Sequence, residues 1–359
     1  MNIFKRRTAY LSKRRRITLF VVKTLFILLI LTPLVMEASL LFTNLIIPLE
    51  RPSSLQDYTP KQLLEGEWLN GETRFYRYTP NTEGKTYGHP FHVNRWGVRG
   101  RDFEERSRVG PEPFRIMVLG DSVTAGIGVA EEDRCTNILE RRLQERYPSR
   151  KIEVINLGVE GFETVQEARE LQQMWSAVGP NLTVVGVFIN DTNITYDHYL
   201  PYKMPIPDRV RPYFNRLMTF RLLEMLYDWL YRDMHHIPSF AELIHRSLTS
   251  ESRDWKVFEH SVQDIDNFVM AQTGKPPLAI YLYDPIMAAR KELGYDQVRH
   301  TFLQHDFIWS EVLSDGYIPV SRFESHPNER SHAQYADALF KTIVDRHLIP
   351  DLHSQIVSK

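Results

Sequence analysis

Four short strand-like runs, separated by segments with helical spacing, constrain the fold of this chain more than any other feature. The runs are Phe114–Leu119, Ile152–Leu157, Leu182–Ile189 and Leu278–Leu282. Between the first two, apolar residues recur every four positions, as on one face of a helix, and Thr164–Met174, between the second and the third, is predicted as a polar helix. The third run is apolar almost throughout, which is typical of a strand covered on both faces of a parallel sheet. The alternation predicts an α/β fold with a doubly wound, flavodoxin-like parallel sheet.

The first run ends abruptly in Gly120-Asp121-Ser122, ahead of small residues and an amphipathic segment. A strand that delivers a serine onto a sharp turn before a helix exposes the hydroxyl at the carboxyl end of the sheet. Backbone N–H groups of such a turn face any negative charge that develops there. The turn therefore suits a nucleophile, although the same string also fits ordinary turn chemistry.

Other polar groups follow the later strands, at the same predicted edge of the sheet. Asn156–Phe162 follows the second run, Asn190-Asp191 follows the third, and Glu324–His332 precedes a final helix predicted around Ala333–Leu348. Ester hydrolysis by a serine needs a hydroxyl, an imidazole, an acid that orients the imidazole, and donors for the oxyanion. The sequence offers a candidate for each of these four parts.

The N-terminal region is basic and then apolar. Residues 1–16 contain seven Lys and Arg side chains and no acid, and residues 17–47 are almost continuously apolar. Leu19–Leu41 supplies the roughly 20 residues that a spanning helix needs. By the positive-inside rule, we expect a cytoplasmic tail, an uncleaved single-pass signal anchor in the cytoplasmic (inner) membrane, and a periplasmic or extracellular domain. A cleaved signal peptide and a buried core helix are the competing interpretations.

Downstream, residues 48–110 form a polar, turn-rich lead-in with a short ordered piece predicted at Phe91–Gly100. Residues 111–350 form the predicted α/β domain. An insertion at about 195–275 interrupts its rhythm and contains an apolar helix predicted at Leu217–Tyr231. We interpret this helix as a lid or an acyl-binding wall, or as an insertion that simply packs on the domain.

Composition excludes several classes of function. The formal net charge is −1, so the chain outside the basic tail carries −8, and no nucleic-acid partner is expected. The single cysteine, Cys135, excludes an internal disulfide framework and a multi-cysteine zinc site. His235-His236 and Asp264-Ile-Asp266 lack the spacing of metal motifs. We therefore predict no metal and no cofactor, and we make no prediction of the oligomeric state.

Four blocks carry a resemblance to a known family. Gly120-Asp121-Ser122, Gly161, Asn190-Asp191 and His326-Pro327-Asn328 occur in an order and spacing similar to those of the SGNH (GDSL-type) hydrolase superfamily. The chain also resembles bacterial membrane-anchored members, which often carry a lead-in like Asn94–Gly100. The resemblance covers roughly residues 91–345.

The resemblance implies a role for each block. Ser122 would be the nucleophile, and His326 the general base and then the general acid. The backbone N–H groups of Ser122 and Gly161 and the side-chain amide of Asn190 would form the oxyanion hole. Asp121 and Asp191 would support the turns beside these groups.

The chain departs from the family pattern where the acid is expected. The family usually has Asp three residues before the histidine, and that position is Phe323 here. Glu324 is our candidate for the triad acid, Asp315 is a weaker option, and a backbone carbonyl could also orient the ring. Phe188 and Ser331 stand where the family often has glycine, but neither change removes a catalytic group.

These observations predict a membrane-anchored serine hydrolase that acts on acyl esters of glycans or lipids. Two alternatives stay open at this stage. The same residues could transfer an acyl group to a hydroxyl of a cell-envelope glycan. The missing Asp at position 323 also fits a catalytically weak binding or assembly protein of the envelope.

Overall fold

The structure is a computed structural model, which describes residues 17–18, 20–27, 31–42, 55–57, 75–109, 113–192, 202–207, 209–214, 217–238, 240–249, 251–282, 294–312, 317–321 and 324–350. Its strands, in chain order, are β1 (Leu55–Asp57), β2 (Tyr76–Tyr78), β3 (Thr82–Thr86), β4 (His89–Val93), β5 (Phe114–Gly120), β6 (Ile152–Asn156), β7 (Leu182–Val187), β8 (Leu278–Tyr281), β9 (Ile308–Ser310), β10 (Pro319–Ser321) and β11 (Glu324–Pro327). Its helices are α1 (Thr32–Phe42), α2 (Arg106–Val109), α3 (Ser122–Ala125), α4 (Cys135–Arg146), α5 (Thr164–Val178), α6 (Arg211–Phe214), α7 (Met218–Met234), α8 (Phe240–Ser247), α9 (Arg253–Thr273), α10 (Tyr295–Gln304) and α11 (Glu329–Asp345).

The central sheet has five strands in the order β6-β5-β7-β8-β9, and every neighbouring pair is parallel. Numbered 1 to 5 by their order along the chain, these strands lie in the sheet as 2-1-3-4-5, which is the flavodoxin-like doubly wound order. The α/β prediction is therefore confirmed. The order reverses between β5 and β7, and ligands of such sheets bind in the crevice beyond the carboxyl ends of the strands at this switch point.

Both faces of the sheet are covered by helices. Successive residues of β5 alternate between them: Ile116 and Val118 pack with α4 and α11, whereas Met117 and Leu119 pack with α5, α9 and α10. All seven residues of β5 are buried. A strand that is buried on both sides cannot show the polar alternation of a half-exposed strand, so its one charged side chain, Arg115, is itself buried and is paired with Glu153.

Several boundaries differ from the sequence prediction for local reasons. The final helix begins at Glu329, four residues before the predicted Ala333, because Asn328 caps it by accepting from the N–H groups of Arg330 and Ser331. Helix α5 continues to Val178, where Gly179 ends it in the left-handed conformation. The lead-in contains more regular structure than predicted, since β2 and β3 precede the ordered piece predicted at Phe91–Gly100 and β4 overlaps its start.

The chain divides into two compact units. The smaller comprises residues 1–49 and 201–237, and the larger comprises residues 50–200 and 238–359. The segment predicted as one insertion is thus divided, because helix α9 belongs with the larger unit, where it packs against α5.

The predicted anchor is described only in part, since residues 19, 28–30 and 43–47 lie outside the described residues. In the portion of the chain that the structure describes, no helix combines the length and apolar character needed to cross a bilayer.

Candidate active site

Ser122 stands at the switch point of the sheet, as the first residue of helix α3 directly after β5. Asp121 caps this helix, because its carboxylate accepts a 2.8 Å hydrogen bond from the N–H of Val123. Gly120 of β5 is paired with Gly186 of β7. A Cβ atom would lie 2.0 Å from Oγ1 of Thr124 at Gly120 and 2.4 Å from it at Gly186, and both distances are too short for a side chain. Two glycines therefore let the serine-bearing helix rest directly on the end of the sheet.

His326 contacts Ser122 across 204 residues of chain. Its Nε2 lies 2.8 Å from Oγ of Ser122, a distance at which the hydroxyl donates to a neutral imidazole. His326 lies on β11, which pairs antiparallel with β10, and the Asn328 cap of α11 follows two residues later. The hairpin and the helix cap together fix where the ring stands. The structure thus places side by side the two residues that the sequence proposes as nucleophile and base.

The two remaining oxyanion candidates, Gly161 and Asn190, are linked through Phe162, the residue that follows Gly161. Asn190 lies in a 3₁₀ turn, Ile189–Thr192, that follows β7, and its side-chain amide donates a 3.1 Å bond to the carbonyl of Phe162. Gly161 precedes that carbonyl and has a φ of 76°. Among the described residues, the backbone N–H groups of Ser122 and Gly161 have no acceptor. Within the described part of the chain, no bond to these two N–H groups competes with the role that the sequence predicts for them.

Three buried carboxyl groups accompany the serine turn. Burial raises the pKa of Asp121 to about 6, against the opposing effects of the Val123 N–H bond and of His326. Burial and repulsion by Asp121 raise the pKa of Glu167 well above its usual range. Burial and repulsion by Glu167 and Asp121 do the same for Asp191. The surroundings of Glu167 and Asp191 therefore favour their neutral forms.

Asp191 also closes the turn that carries Asn190. Its Oδ2 accepts a 2.9 Å bond from the N–H of Phe188, while its Oδ1 has no partner among the described residues. Glu167 lies on α5 and has neither oxygen bonded within that part of the chain. Sequence reasoning missed Glu167, because one acidic residue in a polar helix carries no signal that it is buried.

The candidates for the triad acid lie outside what the structure describes. Asp315 and Phe323 are outside the described residues, and for Glu324 only the backbone is described, as part of β11. Glu324 as the acid that orients His326 therefore stays a prediction.

Arg99 is a positioning residue that sequence reasoning did not single out. Its buried guanidinium donates to the carbonyls of Ala125 (3.1 Å), Gly126 and Val129 (2.8 Å), at the C-terminal end of the serine-bearing helix. Burial, and then repulsion by Arg134, lower the pKa of Arg99 to about 9. The sequence signal that could have indicated Arg99 is the Asn94–Gly100 motif, because Arg99 is its second-last residue.

Two tyrosines of the lead-in hold the loop that contains Gly161. Oη of Tyr76 donates to the carbonyl of Glu160 (2.9 Å), and Oη of Tyr78 accepts from its N–H (3.0 Å). Both rings are buried in a cluster with Phe162. The lead-in therefore supports two of the loops that border the switch point.

His332 and Cys135 belong to the framework. The N–H of Cys135 donates to Nδ1 of His332 (3.3 Å), and burial lowers the pKa of His332 to about 3. Burial raises the pKa of the Cys135 thiol to about 12, so the thiol is unreactive at neutral pH. Within the described residues, no three His, Cys, Asp or Glu side chains are grouped as metal ligands.

No protein-family model matches the chain, and no curated protein is similar to it. Among solved structures, it is similar to the psychrotrophic esterase EstA from Pseudoalteromonas sp., with 10% identity, a TM-score of 0.40, and coverage of 65% of this chain and 98% of that one. It is also similar to a family 3 carbohydrate esterase from Clostridium thermocellum, with 13% identity, a TM-score of 0.40, and coverage of 66% and 97%.

A third similar structure is a member of the lipolytic protein G-D-S-L family from Veillonella parvula, with 12% identity, a TM-score of 0.33, and coverage of 65% and 97%.

Proposed function

We propose that this protein is a serine ester hydrolase of the SGNH type. The observation that carries the proposal is the 2.8 Å contact between Oγ of Ser122 and Nε2 of His326 at the switch point of the sheet. A serine at a helix start, in contact with an imidazole, has the minimal arrangement for nucleophilic attack on an acyl carbonyl.

In the proposed mechanism, Ser122 attacks the carbonyl carbon of the ester while Nε2 of His326 takes the hydroxyl proton. The tetrahedral oxyanion accepts bonds from the N–H groups of Ser122 and Gly161 and from the amide of Asn190. His326 then protonates the departing alkoxide, which leaves an acyl-enzyme. Water attacks this ester with His326 again as base, and the acid is released.

The orientation of the imidazole needs a group that accepts from Nδ1, since Nε2 must be free of its proton to act as base. We propose that Glu324 supplies this acceptor. Its position in the sequence, two residues before His326 on the same strand, supports the assignment.

We further propose that the protein is held in the cytoplasmic membrane by residues 17–47, with the larger unit in the periplasm or outside the cell. The support is the sequence: seven basic residues precede an apolar stretch of spanning length. The proposed substrates are acyl esters of envelope glycans or lipids.

The test uses the full chain in detergent, aryl esters of graded chain length, and a fluorophosphonate probe. We expect Ser122→Ala to lower ester turnover at least about a thousandfold and to abolish labelling, because the nucleophile is lost. His326→Ala should lower turnover similarly. The matched control is Ser149→Ala, which changes an exposed serine. Equal turnover by the wild type and Ser122→Ala would refute the proposal.

A further inference from the structure

Exposed apolar side chains are concentrated in the smaller unit, residues 1–49 and 201–237. In the larger unit, the exposed large apolar residues among those described are Met270, Leu303 and Ile318. In residues 201–237 alone they are Tyr213, Phe214, Leu217, Leu223, Met225, Leu226, Trp229, Leu230 and Met234. Soluble proteins rarely expose an apolar surface of this density without a partner for it.

Helix α7 presents part of this surface as one continuous stripe. Leu223, Leu226, Leu230 and Met234 recur at intervals of three and four residues, so they lie on one face of the helix. They are between 42% and 66% exposed. We call these four residues the apolar stripe, and Trp229 borders it with 61% exposure.

The other side of α7 is polar, and its charges are already paired within the same unit. Glu224, Asp228 and Arg232 recur every four residues on that side. Glu224 pairs with Arg211, Asp228 pairs with Arg232 at 3.0 Å, and the N–H of Tyr202 donates to Asp228 at 2.7 Å. The polar side therefore has its partners, and the apolar stripe faces outward among the described residues.

A carboxylate of the N-terminal segment fixes the start of α7. Glu37, on α1, accepts from the N–H groups of Met218 (2.9 Å) and Thr219 (2.8 Å) and from the Thr219 hydroxyl (2.9 Å). Leu217 precedes the helix and has no side chain that can cap it. Glu37 thus supplies from another segment the cap that the helix itself lacks.

We propose that the apolar stripe lies in the interfacial region of a lipid bilayer, in contact with the acyl chains of the outer leaflet. This inference rests on the membrane anchor of the proposed function. Glu37 is near the outer end of the apolar stretch Leu19–Leu41, so its bonds hold the start of α7 at the level where that stretch leaves the bilayer. An amphipathic helix bordered by an exposed tryptophan suits this depth.

The test places an NBD fluorophore at single cysteines of the full chain, in the Cys135→Ala background. The protein is reconstituted in vesicles of phosphatidylcholine and phosphatidylglycerol, with or without doxyl-labelled lipids. Leu226→Cys and Leu230→Cys report on the stripe. Met270→Cys is the control, since it is an exposed apolar position of the larger unit. Phe26→Cys reports on the anchor.

We expect NBD at positions 226 and 230 to emit further to the blue and to be quenched by doxyl lipids several-fold more strongly than NBD at position 270. Quenching at position 26 without quenching at 226 and 230 would overturn this inference and leave the anchor standing. Absence of quenching at position 26 would overturn the anchor itself, and the inference with it. Protection of 226 and 230 from iodide without doxyl quenching would indicate a second copy of the chain instead of lipid, which also overturns the inference.

Discussion

Asp121 caps the helix that begins at Ser122, and burial makes the charged form of its carboxyl group unfavourable. It is 1% exposed, accepts from the N–H of Val123, and has one oxygen 3.5 Å from Oγ of Ser122. The capping role needs an acceptor oxygen, which a neutral group also provides. The charge and the cap can therefore be separated by substitution.

We predict that Asp121→Asn stabilises the fold above pH 6. Burial raises the pKa of Asp121 from an ordinary 3.8 to about 6, so the native state binds more protons than the unfolded state between these values. Stability is lost as pH rises through this window, and the loss is complete above pH 6, at about 3 kcal/mol. Asparagine keeps the cap without the charge. Urea unfolding at pH 4 and at pH 7 should show a gain at pH 7 only.

The control is Asp296→Asn, at an exposed position of α10, which should change the free energy of unfolding by no more than about 0.5 kcal/mol at either pH. An Asp121→Asn protein that is less stable at pH 7 would show that the charged form is needed in the native state.

His332 predicts a second pH effect of opposite sign. Burial lowers the pKa of His332 from 6.5 to about 3. Between these pH values the imidazole is protonated in the unfolded state and neutral in the native state. Stability should fall as pH falls from 6.5 towards 3. We expect His332→Gln to flatten this slope while costing some stability at pH 7, and unfolding curves at pH 4.5, 5.5 and 7 would measure it. A parallel pH dependence in both proteins would contradict the assignment.

Individual site residues could be predicted from the sequence where they follow directly on a recognisable strand or motif. Ser122 and His326 were predictable because the ends of parallel strands meet at one edge of a sheet. Arg99 and Glu167 were not, because both are charged and fully buried, against the ordinary preference of their residue types. Their burial depends on contacts with distant segments, which local pattern does not encode.

Among the elements, helix α3 is short and is held at both ends by other parts of the chain. Asp121 caps its start, and Arg99 binds the carbonyls at its end. A four-residue helix has too few internal bonds to be stable alone. The position of Ser122 therefore depends on the lead-in as well as on the sheet.

We predict that Arg99→Met lowers the free energy of unfolding by roughly 3 kcal/mol, because several buried carbonyls lose their donor. Ester turnover should also fall, since the helix that carries Ser122 loses its support. Arg99→Lys should recover only part of both, because one ammonium cannot reproduce the spread of guanidinium donors. Urea unfolding and fluorophosphonate labelling rates would measure the two effects.

Arg101→Met is the matched control, in the same segment. Arg101 is 63% exposed and pairs at the surface with Glu140, so its loss should cost less than about 1 kcal/mol and leave labelling unchanged. Equal losses for Arg99→Met and Arg101→Met would remove the special role of Arg99.

The sequence predicts the strands and helices of the α/β domain better than it predicts the residues at which they begin and end. Buried strands such as β5 and β7 coincide with the predicted runs, because burial on both faces favours apolar residues, although Arg115 and Thr183 are buried exceptions. The boundaries of α5 and α11 were displaced by caps at Gly179 and Asn328. Strands β2 to β4 were missed because their residues are polar on one side and the runs are short.

At the scale of the whole molecule, the division into two units indicates which segments could be deleted together, namely residues 1–49 and 201–237. Helices α6 and α7 lie 160 or more residues from α1 in the sequence but share a unit with it. Periodicity can predict each helix separately, yet the Glu37 bonds that join them involve residues too far apart for any local pattern to connect.

We predict that deleting residues 1–49 alone leaves a protein that still needs detergent, because the exposed apolar residues of 201–237 remain. Deleting residues 1–49 and also replacing 201–237 with a flexible Gly-Ser linker should give a monodisperse protein without detergent. Size-exclusion chromatography with light scattering would compare the two. A detergent-free monomer from the first deletion would contradict the prediction.

Ser122 and His326 are 204 residues apart, and this separation has a consequence for the protein during its synthesis. The proposed nucleophile leaves the ribosome about two hundred residues before the hairpin that carries its base. A chain that stops short of this hairpin holds a serine with no group to take its proton. If the proposed mechanism holds, ester hydrolysis is therefore withheld until this hairpin has been made, and chains that end before it are inert towards the esters around them.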